Sequence, residues 1–308
     1  MILCCGEALI DFLPRQTATG EPAFAPYVGG AVFNTAIALG RLEVPVRFFS
    51  GLSTDFFGEQ LRQALTDSGV GLDHVRFSDR PTTLAFVKLV DGHASYAFFD
   101  ESSAGRMITE DDLPVLPAEV AALHFSCISL IPEPCGSTYE ALMRREHGSR
   151  VIMLDPNIRA AFIADKPRHL ERMLRMIAMA DIVKLSDEDL AWFGESGPEE
   201  EIARRWLAMG PRLVILTHGG RGATAYSAEH SVTVGARRVT VVDTVGAGDT
   251  FNAGVLAALY KSGNLAKDAI GSLDEAAIAD ALSLGMRAAS VTVSRAGANP
   301  PWENELPA

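Results

Sequence analysis

Apolar runs bounded by turn residues recur along the chain, in order "ILCCG", "VRFFSG", "ALHFS", "RVIMLD", "DIVKLS" and "RLVILT". Between them lie segments with apolar residues at helical spacing: Val32 to Leu42, Phe57 to Ser68, Leu170 to Ala180 and Ile202 to Met209. Continuous apolar runs suit strands buried on both faces, and amphipathic segments suit helices that cover those faces. The alternation predicts an α/β fold with a mostly parallel central sheet flanked by helices on both faces. Sheets of this kind collect ligands at the carboxyl ends of their strands.

One region breaks the pattern. "TTLAFVKLVDGHASYAFF", Thr82 to Phe99, alternates instead of running apolar, and reads as two strands around an Asp91-Gly92 turn. The polar, turn-rich stretch from Leu13 to Tyr27 supplies further strands, so a small antiparallel sheet is expected to project from the main domain. An ordinary edge hairpin would give the same alternation. Further on, "RRVTVVD" reads as a strand, and Thr250 to Tyr260 as a helix. "LDEAAIADALSLGMRAASVTVSRAG" reads as a long helix whose small residues permit close packing. With no internal repeat or low-complexity linker, a single domain spanning 1–308 is expected.

Composition narrows the partners. A chain of 308 residues, 48% of them hydrophobic, buries a full core. A net charge of -12 and a pI near 5.1 oppose a broad nucleic-acid or membrane surface, which needs clustered Lys and Arg. A small-molecule partner is expected. The opening "MILCCGEALIDFL" lacks a basic region and is interrupted by Glu7 and Asp11, and no later apolar run reads as membrane-spanning, which points to a soluble, cytoplasmic protein. Cys4, Cys5, Cys127 and Cys135 lack CxxC spacing and read as reduced core thiols. The seven histidines form no HxxxH pair and are assigned no metal.

The chemistry concentrates in "DTVGAGDTFNAG", Asp243 to Gly254. Gly246, Ala247 and Gly248 open a helix, where unpaired amides and the helix dipole favour an anion. Asp249 then puts a carboxylate at the mouth of that anion hole. A Walker A loop is excluded because no Gly-Lys pair occurs, and a Rossmann fingerprint because Gly248 is followed directly by Asp249 with little chain remaining. The conflict disappears if the anion is a phosphoryl group in transit and the carboxylate takes the proton of the attacking hydroxyl. An ordinary carboxylate pKa of about 4 would leave Asp249 ionised at neutral pH. The bland reading is a helix turn whose acid complements the dipole.

This stretch resembles the C-terminal signature of the PfkB, or ribokinase-like, carbohydrate kinases, and "GGAVFNTAIALGRL", Gly29 to Leu42, resembles their N-terminal one. The resemblance spans essentially the whole chain. "GEALIDF", "RPTTLAFV", "DPNIR" and "KLSDEDL" are most similar to bacterial fructokinases. It implies a ribokinase-like fold with a β lid built from roughly 12–28 and 81–104, and homodimers formed through the lid strands. It further implies ATP-dependent phosphorylation of D-fructose at its 6-hydroxyl, with Mg2+ and a candidate K+ dependence. A 2-keto-3-deoxygluconate kinase or another sugar kinase of the family is the alternative within the class. A sugar- or nucleotide-sensing protein of the same fold is the alternative outside it.

Carried onto this chain, the resemblance makes Asp249 the base and Gly246, Ala247 and Gly248 the anion hole. Asp11, Gly29, Gly30, Asn34, Phe98, Asn157 and Arg159 become sugar contacts. Lys184, Ser186, Thr217, Gly219, Gly222 and Asn252 become nucleotide contacts. Glu188 and Asp189 stand where the family's Asn-x-x-Glu element organises magnesium through water, with Ser186 in place of the Asn and Asp189 in place of the Glu. A capping Ser followed by dipole-compensating acids explains the same run. Asp243 and Val245 are a candidate monovalent-cation loop, near a segment from Ala288 to Gly297 that flanks adenine. Asp100 and Glu101, in "FFDESSAGR", are more acidic than the pattern at a sugar-facing surface.

Overall fold

The computed structural model describes residues 1–90 and 93–307. The chain opens with β1 (Ile2–Cys5), whose residues alternate between two cores: Ile2 and Cys4 pack on one side, Leu3 and Cys5 on the other. Next come β2 (Leu9–Gln16), β3 (Pro22–Gly29), α1 (Ala31–Arg41), β4 (Val46–Phe49), β5 (Gly51–Ser53), α2 (Phe56–Asp67) and β6 (Arg76–Ser78). The strands β7 (Leu84–Val90) and β8 (His93–Phe99) follow; the Asp91-Gly92 turn lies outside the described residues. The middle of the chain gives β9 (Ala122–Ser126), α3 (Cys135–Glu146), β10 (Val151–Asp155), α4 (Lys166–Ile177), β11 (Ile182–Ser186) and α5 (Asp187–Phe193). The remainder is α6 (Glu199–Leu207), β12 (Leu213–Thr217), β13 (Ala223–Tyr226), β14 (Ser231–Val234), α7 (Ala247–Lys261) and α8 (Glu275–Val293).

Eight strands form the central sheet in the order β14-β13-β12-β11-β10-β9-β1-β4. From β4 to β12 every pairing is parallel, and only β13 and β14 run antiparallel at one edge. One face is covered through Phe33, Leu39, Phe251, Leu256 and Ile278 of α1, α7 and α8. The other is covered through Tyr139, Leu142, Met173, Met176 and Trp206 of α3, α4 and α6. This is the predicted ribokinase-like layering. The parallel strands end on one edge, which gathers the residues following β1, β9, β10, β11 and β12.

A separate sheet runs β3-β2-β7-β8. Its two hairpins are antiparallel, and they join through a parallel β2–β7 pair that sets Asp11 opposite Ala85. Phe12 stacks on Phe86 at 4.5 Å and meets Phe57 edge-on at 5.5 Å, tying this sheet to α2.

Three expectations change. Residues 237–243 form no strand: β14 ends the sheet at Val234, and Val239, Val241 and Val242 remain 41%, 59% and 60% exposed. The alternating valines lack a neighbouring strand to pair with. The hairpin β13–β14 and the helix α3 were not anticipated, whereas α5 begins at a capping Ser186, as the alternative reading of that run has it. Finally α8, 19 residues with a mean hydropathy of 1.2, has the length and composition of a membrane span, although none was expected. It packs along α7 instead, where a Cβ on Gly254 would come within 2.6 Å of the Gly285 Cα. The four cysteines are free and buried.

Candidate active site

The first turn of α7 sits over the carboxyl edge of the sheet. Gly246 caps it in the left-handed region at φ 76°, and a Cβ there would fall 2.7 Å from the Ala298 Cβ, so the turn is built for glycine. The Thr250 amide already bonds the Gly246 carbonyl, and the Ala247 amide reaches back to Thr244 at 3.3 Å. The amides of Gly248 and Asp249 are left as the helix's open donors. Ala247 therefore contributes less to the anion hole than its position in the motif implied.

The two glycine-rich signatures meet at Asp249. The Asn34 amide, from α1, donates to the Asp249 carboxylate at 2.9 Å, and the Thr35 hydroxyl donates to the Asp249 carbonyl at 3.2 Å. Asn34, expected to contact sugar, is thus the residue that orients the Asp249 carboxylate. Asp249 is 8% exposed, and burial pushes its pKa up to about 7. The Asn34 bond and the Arg159 and Lys184 charges oppose that rise, while Asp155 adds to it. The ordinary carboxylate expected from sequence is corrected here: desolvation of the charged form outweighs its stabilising contacts.

Asp11 stands on β2, half-buried, with burial raising its pKa to about 6. Its Oδ2 lies 2.5 Å from where a Gly29 Cβ would stand, so Gly29 is what lets the carboxylate in. Gly30 turns the chain at φ 112° into α1. There a residue the sequence reading passed over does the capping: buried Glu7 accepts from the Ala31 amide at 2.8 Å and the Ser129 amide at 3.4 Å. Asn157 adopts φ 42°, and among the described residues the exposed Arg159 guanidinium bonds only the carbonyls of Asn157 and Ile158, at 3.3 and 3.2 Å. Its charge is felt by Asp249, Asp155 and Asp189. A guanidinium held only by carbonyls of its own loop keeps donors for an incoming anion.

Between the small sheet and the body lies a cavity of about 430 Å³, walled by Phe98, Ile128, Ile131, Phe162 and the floor residues Glu7 and Ser129. Phe98 and Phe162 meet at 4.5 Å. The acidic Asp100 does not charge this wall, because Arg106 pairs with it at 3.1 Å.

On the other side of α7, several expected nucleotide contacts turn inward. Lys184 is buried and donates to Asp155 at 3.2 Å; Asn252, fully buried, donates to the same Asp155 oxygen at 2.7 Å. The Thr217 hydroxyl donates to the Leu185 carbonyl at 3.2 Å. Asn252 therefore has no face toward a nucleotide. Gly219 and Gly222 keep positive φ of 53° and 114°, and a Cβ on Gly222 would strike the Val234 carbonyl at 2.1 Å. Ser186 and Asp189 form a capping box at α5, and Asp189 also accepts the Ile158 amide at 2.7 Å. Glu188 is exposed. Among the described residues no three His, Cys, Asp or Glu side chains gather to hold a metal. Asp189 is committed to Ser186 and Ile158, which leaves exposed Glu188 as a carboxylate of this run suited to a divalent cation that arrives with phosphates and keeps its waters. Asp243 bonds the amides of Val245 at 3.0 Å and Gly297 at 2.9 Å, which leaves backbone carbonyls as that loop's remaining ligands.

Open amides at the start of α7, a buried carboxylate beside them and a second carboxylate on β2 suit the transfer of a phosphoryl group to a hydroxyl. Residues 1–305 match the pfkB family carbohydrate kinase, and the chain belongs to that family. It is 59% identical over 278 residues, 90% of this chain and 85% of the relative, to a fructokinase of Rhizobium leguminosarum bv. trifolii. In structure it is similar to fructokinase from Xylella fastidiosa with bound ATP, with a TM-score of 0.87, 26% identity, and 96% and 93% of the two chains covered. Fructokinase from Vibrio cholerae O395 in its fructose, ADP and calcium ion bound form gives 0.84, 27%, 96% and 94%.

Proposed function

We propose that this chain transfers the γ-phosphoryl group of ATP to the 6-hydroxyl of D-fructose, giving fructose 6-phosphate and ADP. The observation that carries this is the meeting of Asn34 and Asp249 beside the open amides of α7. In this reading Asp249 takes the proton of the 6-hydroxyl while that oxygen bonds the γ-phosphorus and the bond to ADP breaks. The Gly248 and Asp249 amides face the phosphoryl oxygens as charge shifts onto them. Asp11 accepts sugar hydroxyls, Gly29 and Gly30 admit the ring, Phe98 closes over it, and Arg159 takes sugar or phosphate oxygens. The turn Thr217 to Gly222 flanks the nucleotide phosphates. Mg2+, held through water near Glu188 and Asp189, supplies charge neutralisation on those phosphates when bound. A K+ ion at the Asp243–Val245 turn would steady the loop beside Gly246. Four free buried thiols agree with a cytoplasmic location.

Coupled ADP release with Mg-ATP, run across fructose, 2-keto-3-deoxygluconate, ribose, glucose and adenosine, tests the substrate. Fructose should give the highest kcat/KM by at least about tenfold. Preference for the keto acid would instead assign Arg159 to a substrate carboxylate. The same assay against pH should show kcat/KM rising through about pH 7, because Asp249 must lose its proton to act and burial holds that proton to about 7. A rate already flat at pH 5 would contradict this assignment.

We further infer that the small sheet is both lid and dimer contact. Phe24 and Phe99, 49% and 56% exposed, continue the half-buried Phe12–Phe86 stack onto its surface. A second copy of that surface would cover them. Sedimentation equilibrium should find a dimer that Phe24→Asp with Phe99→Asp converts to a monomer; a wild-type monomer at micromolar concentration removes the inference.

A further inference from the structure

We propose that Asp155, assigned above to neither sugar nor nucleotide, is a positioning residue that holds the Lys184 ammonium beneath the first turn of α7 and away from Asp249. This rests on the reading of Asp249 as the base.

Asp155 closes β10 and is fully buried. One of its oxygens serves both Lys184 of β11 and Asn252 of α7, so three elements converge on it. Its other oxygen, and the Asn252 amide oxygen, find no hydrogen-bond partner among the described residues. A half-satisfied ionic cluster is a poor device for stability, since apolar side chains of similar volume would avoid its desolvation cost. Its location is more informative. The Lys184 nitrogen lies 3.4 Å from where a Gly248 Cβ would be, directly against the anion hole. Asn252 projects one helical turn beyond Asp249, so its bond to Asp155 sets how α7 is rotated about its axis.

Lys184 has three acidic neighbours at hand. Burial disfavours its charge, but Asp155, then Asp189 and Asp249, outweigh that and keep it an ammonium. Buried His124 beneath it is held neutral, its pKa pushed down to about 3 by burial and then by Lys184. If the ammonium paired with Asp249, the base would hold its charge too firmly to accept a proton at neutral pH. Asp155 prevents that by offering the nearer carboxylate. The other groups facing Asp249 are Arg159 from the loop after β10, the Cys127 thiol after β9, whose pKa burial holds well above its usual value, and the uncharged Asn34 amide from α1.

The test is Asp155→Asn, which keeps shape and acceptor but removes the charge. The acid limb of kcat/KM for fructose should fall by about one pH unit, because the Asp155 charge that raises the Asp249 pKa is gone and the freed ammonium then stabilises ionised Asp249. kcat should drop about 10- to 100-fold, with fructose KM within about threefold of wild type. Adding Lys184→Met should return the limb toward its wild-type position. A lower kcat with an unmoved limb would mean that Asp155 is merely structural, and would overturn the inference. Should Asp155→Asn not fold, Asn252→Leu breaks only the tie to α7: a roughly tenfold loss of kcat at unchanged KM supports the positioning, and wild-type kcat overturns it. Asp249→Asn run in parallel separates the two claims. Turnover in that variant removes the base and this inference together, whereas an inert Asp249→Asn beside an unmoved Asp155→Asn limb removes the inference alone.

Discussion

Asp249→Asn is expected to lower kcat for fructose phosphorylation by about 10²- to 10⁴-fold, the usual contribution of a positioned general base. Fructose KM should change little, because the amide keeps the volume and can still accept the Asn34 bond now made at 2.9 Å. Folding should not suffer. The wild-type carboxylate is 8% exposed and resists ionisation, so its charge is a cost in the resting protein that asparagine removes. Initial rates on saturating fructose and Mg-ATP, paired with a thermal melt, check both halves. A large rate loss accompanied by a collapsed melting temperature would make the residue structural instead.

Gly246→Ala should produce the second largest loss, about 10²- to 10³-fold in kcat, comparable to removing a preorganised donor from an oxyanion hole. The left-handed φ of 76° costs an alanine roughly 1–2 kcal/mol. The added methyl meets Ala298 at 2.7 Å, and that segment is held in place by the Asp243 bond to the Gly297 amide. The turn must therefore move, taking the Gly248 and Asp249 amides off their target. Gly248→Ala provides the contrast: its Cβ would sit 3.4 Å from the Lys184 nitrogen and within the helix, so less than about a tenfold loss is expected. Equal losses from both would mean that glycine content, not the Gly246 geometry, governs the site.

Much of this arrangement is legible in the chain itself. The central layering follows from apolar runs such as Val151 to Asp155, because strands buried on both faces admit few polar residues. The anion hole follows from glycines before a helix, a local rule. What could not be read are the properties created by distant residues meeting. The Asn34 bond to Asp249 spans 215 positions, and the raised pKa of Asp249 exists only once the folded chain buries it. Lys184 and Asn252, read as nucleotide contacts from their places in motifs, turn inward because Asp155 sits between them, and the Asp155–Lys184 pair bridges neighbouring strands. Glu7 gave only the signal of an acid inside an apolar opening stretch, and its amide partners come from α1 and from Ser129. Residues 237–243 show the opposite error: a strand pattern in a segment that has left the sheet after β14 and pairs with no strand among the described residues.

The most direct test of the account is phosphorus NMR of the product formed from fructose and Mg-ATP. The account predicts ADP and a single sugar phosphate, esterified at the 6-hydroxyl, in equal amounts. A phosphate at C1, or ADP released without any sugar phosphate, would contradict it.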